Sequence, residues 1–499
     1  MLLILILLAV AAVLTANLWR ARQKLPKGPT PLPLIGNFHQ LFYLSWKTGS
    51  LVAAFNELKK QYGKVFTVWM GPKPSVYICD YDIAHETHVK RANIFGTRYS
   101  VGGMEYIREG RGIIGSNGDF WLEHRRFALM TLRNFGVGRT IMEDKIMDEY
   151  RYRFKDFKRT HFKNGAIQVN ASSIFDLLVG SIINQLLVSE RFEQDDQEFE
   201  KLKTSLAEAL ENISIIEGFL PLWVLKSPLM KWRTKITFAP VAAIENGTHT
   251  LSEEGDDFVD AFIVKMEKDK KEGIDSSFTY VLSIIRKFSI ACFSLETLAI
   301  DLFDLWQAGQ ETTSTTLTWA CVCLLNHPEV VEKLRKELTE VTGGTRGVSL
   351  TDRTKTPYLN ANINEFQRIA SILNVNLFRV LEEDTTIDSQ PVPAGALVTT
   401  NLSMLHTDEE IFKNPQEFRP ERFMENNNLE KRLIPFGIGK RACPGESLAR
   451  AELFLITGNM ILDYDLEPVG TLPKIETTTP FAPMKRPPVY DIRFVPRSQ

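Results

Sequence analysis

The chain has 499 residues, with 59 Lys and Arg against 61 Asp and Glu, a formal net charge of −2 and 44% hydrophobic residues. That is ordinary globular composition with ample length for a large core, so neither a disordered chain nor a fibrous one fits. The near-neutral balance removes the general electrostatic reason to expect nucleic acid as a partner.

Met1 to Trp19 is almost uninterrupted Leu, Ile, Val and Ala. At about 1.5 Å per residue this run reaches about 28 Å, close to the ~30 Å hydrocarbon core of a bilayer. A cleavable signal peptide wants positive charge before its apolar run, whereas here Arg20, Arg22, Lys24 and Lys27 follow it. The reading is a single transmembrane signal anchor over residues 1–19, with the positive-inside rule placing the remainder in the cytosol. The four N-x-S/T sequons, at Asn170, Asn212, Asn246 and Asn401, should then carry no glycan. Five scattered cysteines, Cys79, Cys292, Cys321, Cys323 and Cys443, also suit a reduced, cytosol-facing protein better than a disulfide framework.

Residues 20–37 are a basic, proline-rich linker. Four prolines from Pro26 to Pro33 enforce a stiff extended connector, a strut between membrane and body. No Gly/Ser-rich stretch divides residues 38–499, which are read as one domain. Val65 to Met70 and Ser75 to Cys79 read as a hairpin across Gly-Pro-Lys-Pro. A long helical region is expected from Glu143 to Thr342. Within it Ile215 to Met230 is unusually apolar for a segment with two prolines, either a core-filling connection or a loop that dips into the membrane surface. Strands resume near Val392 to Thr400, and Leu466 to Arg497 reads as a closing hairpin region.

Gly110, Gly112 and Gly115 satisfy G-x-G-x-x-G, the dinucleotide fingerprint. No buried strand precedes them and no apolar helix opens at Gly115, so a flexible loop is the better reading. Downstream, Trp121 and Arg125 stand four apart on one helix face, where an indole N–H and a guanidinium suit a carboxylate; alone, such a pair is more often a surface cation–π contact.

Asp301 to Leu325 reads as a long apolar helix with a polar interruption, Ala308-Gly309-Gln310-Glu311-Thr312-Thr313. A Gly inside a helix costs about 1 kcal/mol relative to Ala, and adjacent Thr residues add to that. Such a break is expected to open the backbone ladder to a small ligand or water, with Thr312 and Glu311 offering a hydroxyl and a carboxyl for proton relay. Glu365 and Arg368 supply opposite charges one helical turn apart, and Arg422 is expected to complete a desolvated triad that fixes geometry. Near the end lies Phe436-Gly437-Ile438-Gly439-Lys440-Arg441-Ala442-Cys443-Pro444-Gly445, followed by an apolar periodic segment, Ser447 to Leu462. A thiolate at a helix entrance meets unpartnered N–H groups and the favourable end of the helix dipole, which makes it an electron-rich metal ligand. Gly439 and Gly445 are expected to let the backbone approach a large flat cofactor, and Arg441 to supply a cation for its acidic groups.

The pattern F-x-x-G-x-R-x-C-x-G resembles the haem-binding loop of the cytochrome P-450 monooxygenases, in which that Cys is the axial iron ligand. Ala308 to Thr313 is similar to that family's A-G-x-E-T-T oxygen-activation motif, and Glu365, Arg368 and Arg422 to its helix pair and P-E-R-F signature. Gly118 to Phe127 resembles the helix whose Trp and Arg bind a haem propionate. Arg379 matches another propionate position, although Phe378 replaces the proline usual before it. The motifs keep the family's order over essentially the whole chain and look most like the microsomal class.

The resemblance implies a mainly α fold with a minor β region behind one N-terminal transmembrane helix. It implies haem b on Cys443, with Trp121, Arg125, Arg379 and Arg441 at the propionates, and Phe436, Gly439, Ala308 and Gly309 against the cofactor. Glu311 and Thr312 would relay protons. Tyr106, Ile107, Ile113, Ile114, Phe303, Asp304 and Phe481 are candidate pocket residues for an apolar substrate such as a xenobiotic, fatty acid or steroid. One oxygen atom of O2 would enter the substrate. Electrons would come from NADPH through a flavoprotein reductase, with cytochrome b5 a further partner, docking at Arg126, Arg133, Lys431, Arg432 and Lys440. The endoplasmic reticulum membrane, single-pass, is the implied location. The alternatives are a haem-thiolate isomerase or dehydratase of lipid peroxides and a non-catalytic haem sensor, neither of which accounts for a Glu311–Thr312 relay.

Overall fold

The computed structural model describes residues 1–100, 108, 110–136, 140–197, 199–200, 203–204, 219, 227–228, 257–272, 292–475 and 484–497. Tyr106, Ile107 and Phe481 lie outside the described residues, as do Asn212, Asn246 and most of Ile215–Met230.

Helix α1 (Leu2–Arg22) has an 18-residue window of mean hydropathy 2.6 and no buried residue, and is long and apolar enough to cross a membrane. The linker after it does not hang free. Arg22 Nη2 donates to Gly28 O at 2.8 Å and Thr67 N donates to Lys27 O at 3.0 Å. A Cβ on Gly28 would run into the Thr67 carbonyl. Asn37 closes the approach, its Oδ1 accepting from Trp69 N at 2.7 Å. The prolines therefore lay the chain along the first strand of the body.

That strand, β1 (Val65–Met70), pairs antiparallel with β2 (Lys73–Ile78) as the β-branched runs require. Helix α2 (Gly118–Asn134) follows, then α3 (Thr140–His161). The helical region expected from Glu143 to Thr342 is interrupted next by two short strands, β3 (Phe162–Lys163) and β4 (Ala166–Asn170). Asn164 and Gly165 between them both have positive φ, 49° and 79°, the conformation of a two-residue hairpin turn. Helix α4 (Ala171–Val188) also passes the length and hydropathy test for a membrane span, but 72% of its apolar window is buried; it is a core helix. It packs against α5 (Cys292–Asn326), which runs through the body.

Helix α6 (Pro357–Ala370) is buried from Leu359 to Ala370 except at Asn360. Strands β5 (Arg379–Val380), β6 (Thr385–Ile387), β7 (Gln390–Val392) and β8 (Leu397–Thr400) follow. One sheet has the order β1-β2-β8-β5, in which only β2 and β8 run parallel. Helix α7 (Glu446–Asp463) leads into β9 (Tyr464–Pro468), which pairs with β10 (Asp491–Pro496). Strand β10 also pairs with β4, so the second sheet, β3-β4-β10-β9, ties the end of the chain to its first half. The largest core draws on α3, α4, α5, α6 and α7 together.

Candidate functional site

The loop before α7 is shaped by its own backbone. Cys443 N donates to Phe436 O and Ala442 N to Gly439 O, each at 2.9 Å. Burial pushes the Cys443 thiol up; against this act the N–H groups of Gly445 and Glu446, aimed at the sulfur, and the nearby Arg125 guanidinium. Cys443 is nonetheless exposed, whereas Cys79, Cys321 and Cys323 are buried and inert by comparison. Gly439 has φ 79°, and a Cβ on it would strike the His88 carbonyl. Its missing side chain thus makes room for the His88 backbone. Arg450 covers the Phe436 ring at 5.1 Å.

Four guanidinium groups converge beside this loop. Arg441 stacks 3.6 Å above the Trp121 ring and donates to Gly96 O, Ser116 O and Asn117 Oδ1, while its Nη1 is buried without a partner. Arg379 donates to Phe95 O at 2.8 Å through Nη1, and its Nη2 is likewise unpartnered. Arg125 donates to Ala442 O at 2.6 Å and sits 5.4 Å from the Trp121 ring. Arg98, which sequence patterning did not single out, donates to Leu377 O and leaves Nε unpartnered. Burial lowers the proton affinity of all four, and mutual repulsion adds to it at Arg98 and Arg441; Arg441 falls to about 9 and Arg379 to about 10. Among the described residues no carboxylate pairs with any of them. A buried cation cluster with orphaned N–H donors and no internal anion fits a ligand that brings its own negative charge. The two propionates of a haem are such groups, and Cys443, on the same loop as Arg441, is the fitting soft donor for its iron.

Helix α5 is continuous through Ala308–Thr313; the expected interruption is absent. Gly309 has another explanation, because a Cβ there would collide with Ile183 of α4. Thr312 Oγ1 donates to Ala308 O at 2.7 Å, one turn back. Ala308 is exposed and Thr312 half-buried on a helix whose following turns are wholly buried, so this face borders open space. Glu311 lies 3.1 Å from Arg486. Burial raises its carboxyl above the usual range, and Arg486 opposes that.

The candidate pocket residues are only partly brought together. Asp304 Oδ1 is 2.6 Å from Arg108, and Ile114 N donates to Asp304 Oδ2 at 2.9 Å. Burial lifts Asp304 to about 6, with Arg108 and the Ile114 amide holding it down. Its carboxylate is engaged in fastening the 108–114 loop to α5. Gly112, with φ 86°, packs where any Cβ would meet Asp304, which accounts for this glycine without a dinucleotide. Ile113 and Phe303 are buried in the main core, and Ile114 is half-buried.

The triad meets as the spacing required. Arg368 forks onto Glu365 at 2.7 and 2.8 Å, and Arg422 Nε reaches Glu365 Oε1 at 3.2 Å, all buried. Arg368 also donates to the carbonyls of His406, Pro415 and Glu417. His406, another residue without a sequence signal, carries the connection onward: Ile434 N donates to its Nε2 at 3.2 Å, just before the cysteine loop. Burial, reinforced by Arg368, lowers His406 to about 3, so it stays neutral and its Nδ1–H is left to donate to Ser371 Oγ.

Between α7 and α5 lies Glu452, wholly buried and bonded to Thr313, with Oε1 unpartnered. Burial lifts it to about 8. The folded protein therefore holds this proton up to about pH 8, while an unfolded Glu releases it near 4.5. Stability falls as pH rises through that window. Glu452→Gln should leave the thermal midpoint near pH 5 unchanged and raise it by about 2–4 °C near pH 8, read by a pH series of melts.

Comparison with known proteins gives one family throughout. The sequence profile described as Cytochrome P450 matches residues 26–494. The chain is 38% identical to "Probable cytochrome P450 cyp-35D1" of Caenorhabditis elegans, over 98% of both chains. It is 33% identical to "Cytochrome P450 2H1" of Gallus gallus, over 99% of this chain and 98% of the relative. It is also 33% identical to "Cytochrome P450 2C55" of Rattus norvegicus, over 99% of each.

Proposed function

Since the chain belongs to the cytochrome P450 family, and is thereby a haem-thiolate monooxygenase that uses dioxygen, we propose that its substrates are apolar small molecules and that its electrons come from NADPH through a separate flavoprotein reductase. The observation that carries the assignment of the site is the largely buried cluster of Arg98, Arg125, Arg379 and Arg441, which no carboxylate among the described residues pairs, beside the exposed Cys443. In this reading Cys443 would supply the thiolate that holds the haem iron. Arg379 and Arg441 would offer their orphaned N–H groups to the propionates, and Trp121 is the platform on which Arg441 is held flat. Bound haem supplies the redox chemistry of oxygen activation, one oxygen atom entering the substrate and the other leaving as water. The protein's share is to hold the group, exclude water and deliver protons. Thr312 presents a hydroxyl at the open face of α5, and Glu311 is an acid one residue away, paired with Arg486.

Arg126, Arg133, Lys431 and Lys440 are exposed and suit the acidic docking face of an electron donor. Arg432 is engaged elsewhere, 2.8 Å from Asp82 and stacked on Tyr81. The bare apolar surface of α1 supports a membrane anchor, and the basic residues after it support a cytosolic body on the endoplasmic reticulum.

The relay is tested with purified protein, reductase and a turned-over substrate. Thr312→Ala should continue to consume NADPH while product falls about tenfold or more, hydrogen peroxide appearing in its place. Unchanged product per NADPH would remove Thr312 from the relay.

A further inference from the structure

Arg486 stands on the segment that leads into β10, far in sequence from α5, yet its Nη2 reaches Glu311 Oε1 at 3.1 Å. The backbone that presents it is fixed on both sides. Lys485 N donates to Ile372 O at 2.8 Å, and Lys485 Nζ, buried 4.7 Å from the Trp319 ring, donates to Ile369 O at 2.7 Å. Met484 bridges to Leu373. Pro487 and Pro488 follow and restrict the chain further. A guanidinium delivered from so constrained a backbone is placed beforehand, not recruited by chance from a loose surface.

We propose that Arg486 is a positioning residue: it holds the Glu311 carboxylate ionised and turned toward the C-terminal segment. The proposal rests on the reading of Glu311 as the relay acid. The Glu311 side chain is only 14% exposed, an environment that favours the neutral acid. Three charged groups bear on it. Asp176 of α4 pushes it toward the neutral acid and Lys203 toward the anion, and these two are joined to each other at 2.5 Å, so their effects oppose. Gln310, the neighbour of Glu311, occupies the other oxygen of Asp176. Arg486 is the strongest of the charge effects. It also sets direction. The Thr312 hydroxyl is given to Ala308 O and the Glu311 carboxylate to Arg486, so acid and alcohol are directed to different partners.

The test uses the full-length holoenzyme and follows the protonation of Glu311 by infrared difference titration, its band assigned by subtraction against Glu311→Gln. Arg486 is 38% exposed, so its replacement leaves the core intact. Arg486→Met should raise the Glu311 midpoint by about one pH unit, the lower end of the effect of a nearby cation because this one is partly solvated. Arg486→Lys should restore most of the shift. The pH at which product per NADPH is half-maximal should move upward with it. An unchanged midpoint in Arg486→Met overturns the proposal. A shifted midpoint combined with wild-type product yield in Glu311→Gln upholds the hold of Arg486 on Glu311 and ends the relay reading instead.

Discussion

Cys443→His should lose the red-shifted Soret band of the ferrous–CO complex completely, together with monooxygenation. The thiolate is the electron-rich ligand on which oxygen activation depends, and a neutral imidazole does not replace its charge. Haem content should fall less than activity, because Arg98, Arg125, Arg379 and Arg441 do not depend on the sulfur for their positions: their bonds run to Leu377, Ala442, Phe95, Gly96, Ser116 and Asn117. Absorbance spectra and a pyridine haemochrome assay on one preparation separate the two effects. Persistence of the red-shifted band would show that another residue is the ligand.

The second large effect is on folding. Arg368→Ala removes a fork from a fully buried Glu365 and a donor from the carbonyls of His406, Pro415 and Glu417. Arg422 remains, but at 3.2 Å and through one nitrogen it does not saturate the carboxylate. Leaving such a charge poorly compensated costs about 3–5 kcal/mol. The damage also travels, since the His406 carbonyl bound by Arg368 belongs to the residue whose ring receives Ile434 N. Arg368→Ala should therefore yield protein with little haem and an early, broad melt. Arg368→Lys should recover only part, because an ammonium has no planar fork. A wild-type melt and haem content in Arg368→Ala would refute the structural role given to the triad.

What was legible in the sequence was local. Cys443, its glycines and its helix lie within a score of residues, and Glu365 and Arg368 are one turn apart, so spacing alone carries their relation. Arg98, His406 and Arg486 were not legible, because each acquires its role from a partner elsewhere in the chain: Arg98 from Arg379 and Arg441, His406 from Ile434, Arg486 from Glu311. Local chemistry also misled. Gly309 was read as a weakness in α5, whereas its missing side chain makes room for Ile183 and the helix runs on. The hairpin of β3 and β4 was announced by Asn164-Gly165 but hidden by the helical stretches on either side.

Asn401 heads a sequon, yet it is 1% exposed, bonds Ile78 O through its backbone and caps the following helix with its side chain. A glycan attached there during synthesis would bar the edge of β8 from closing against β2. Burial of this one side chain thus makes a glycan at Asn401 and the closed β2–β8 edge mutually exclusive.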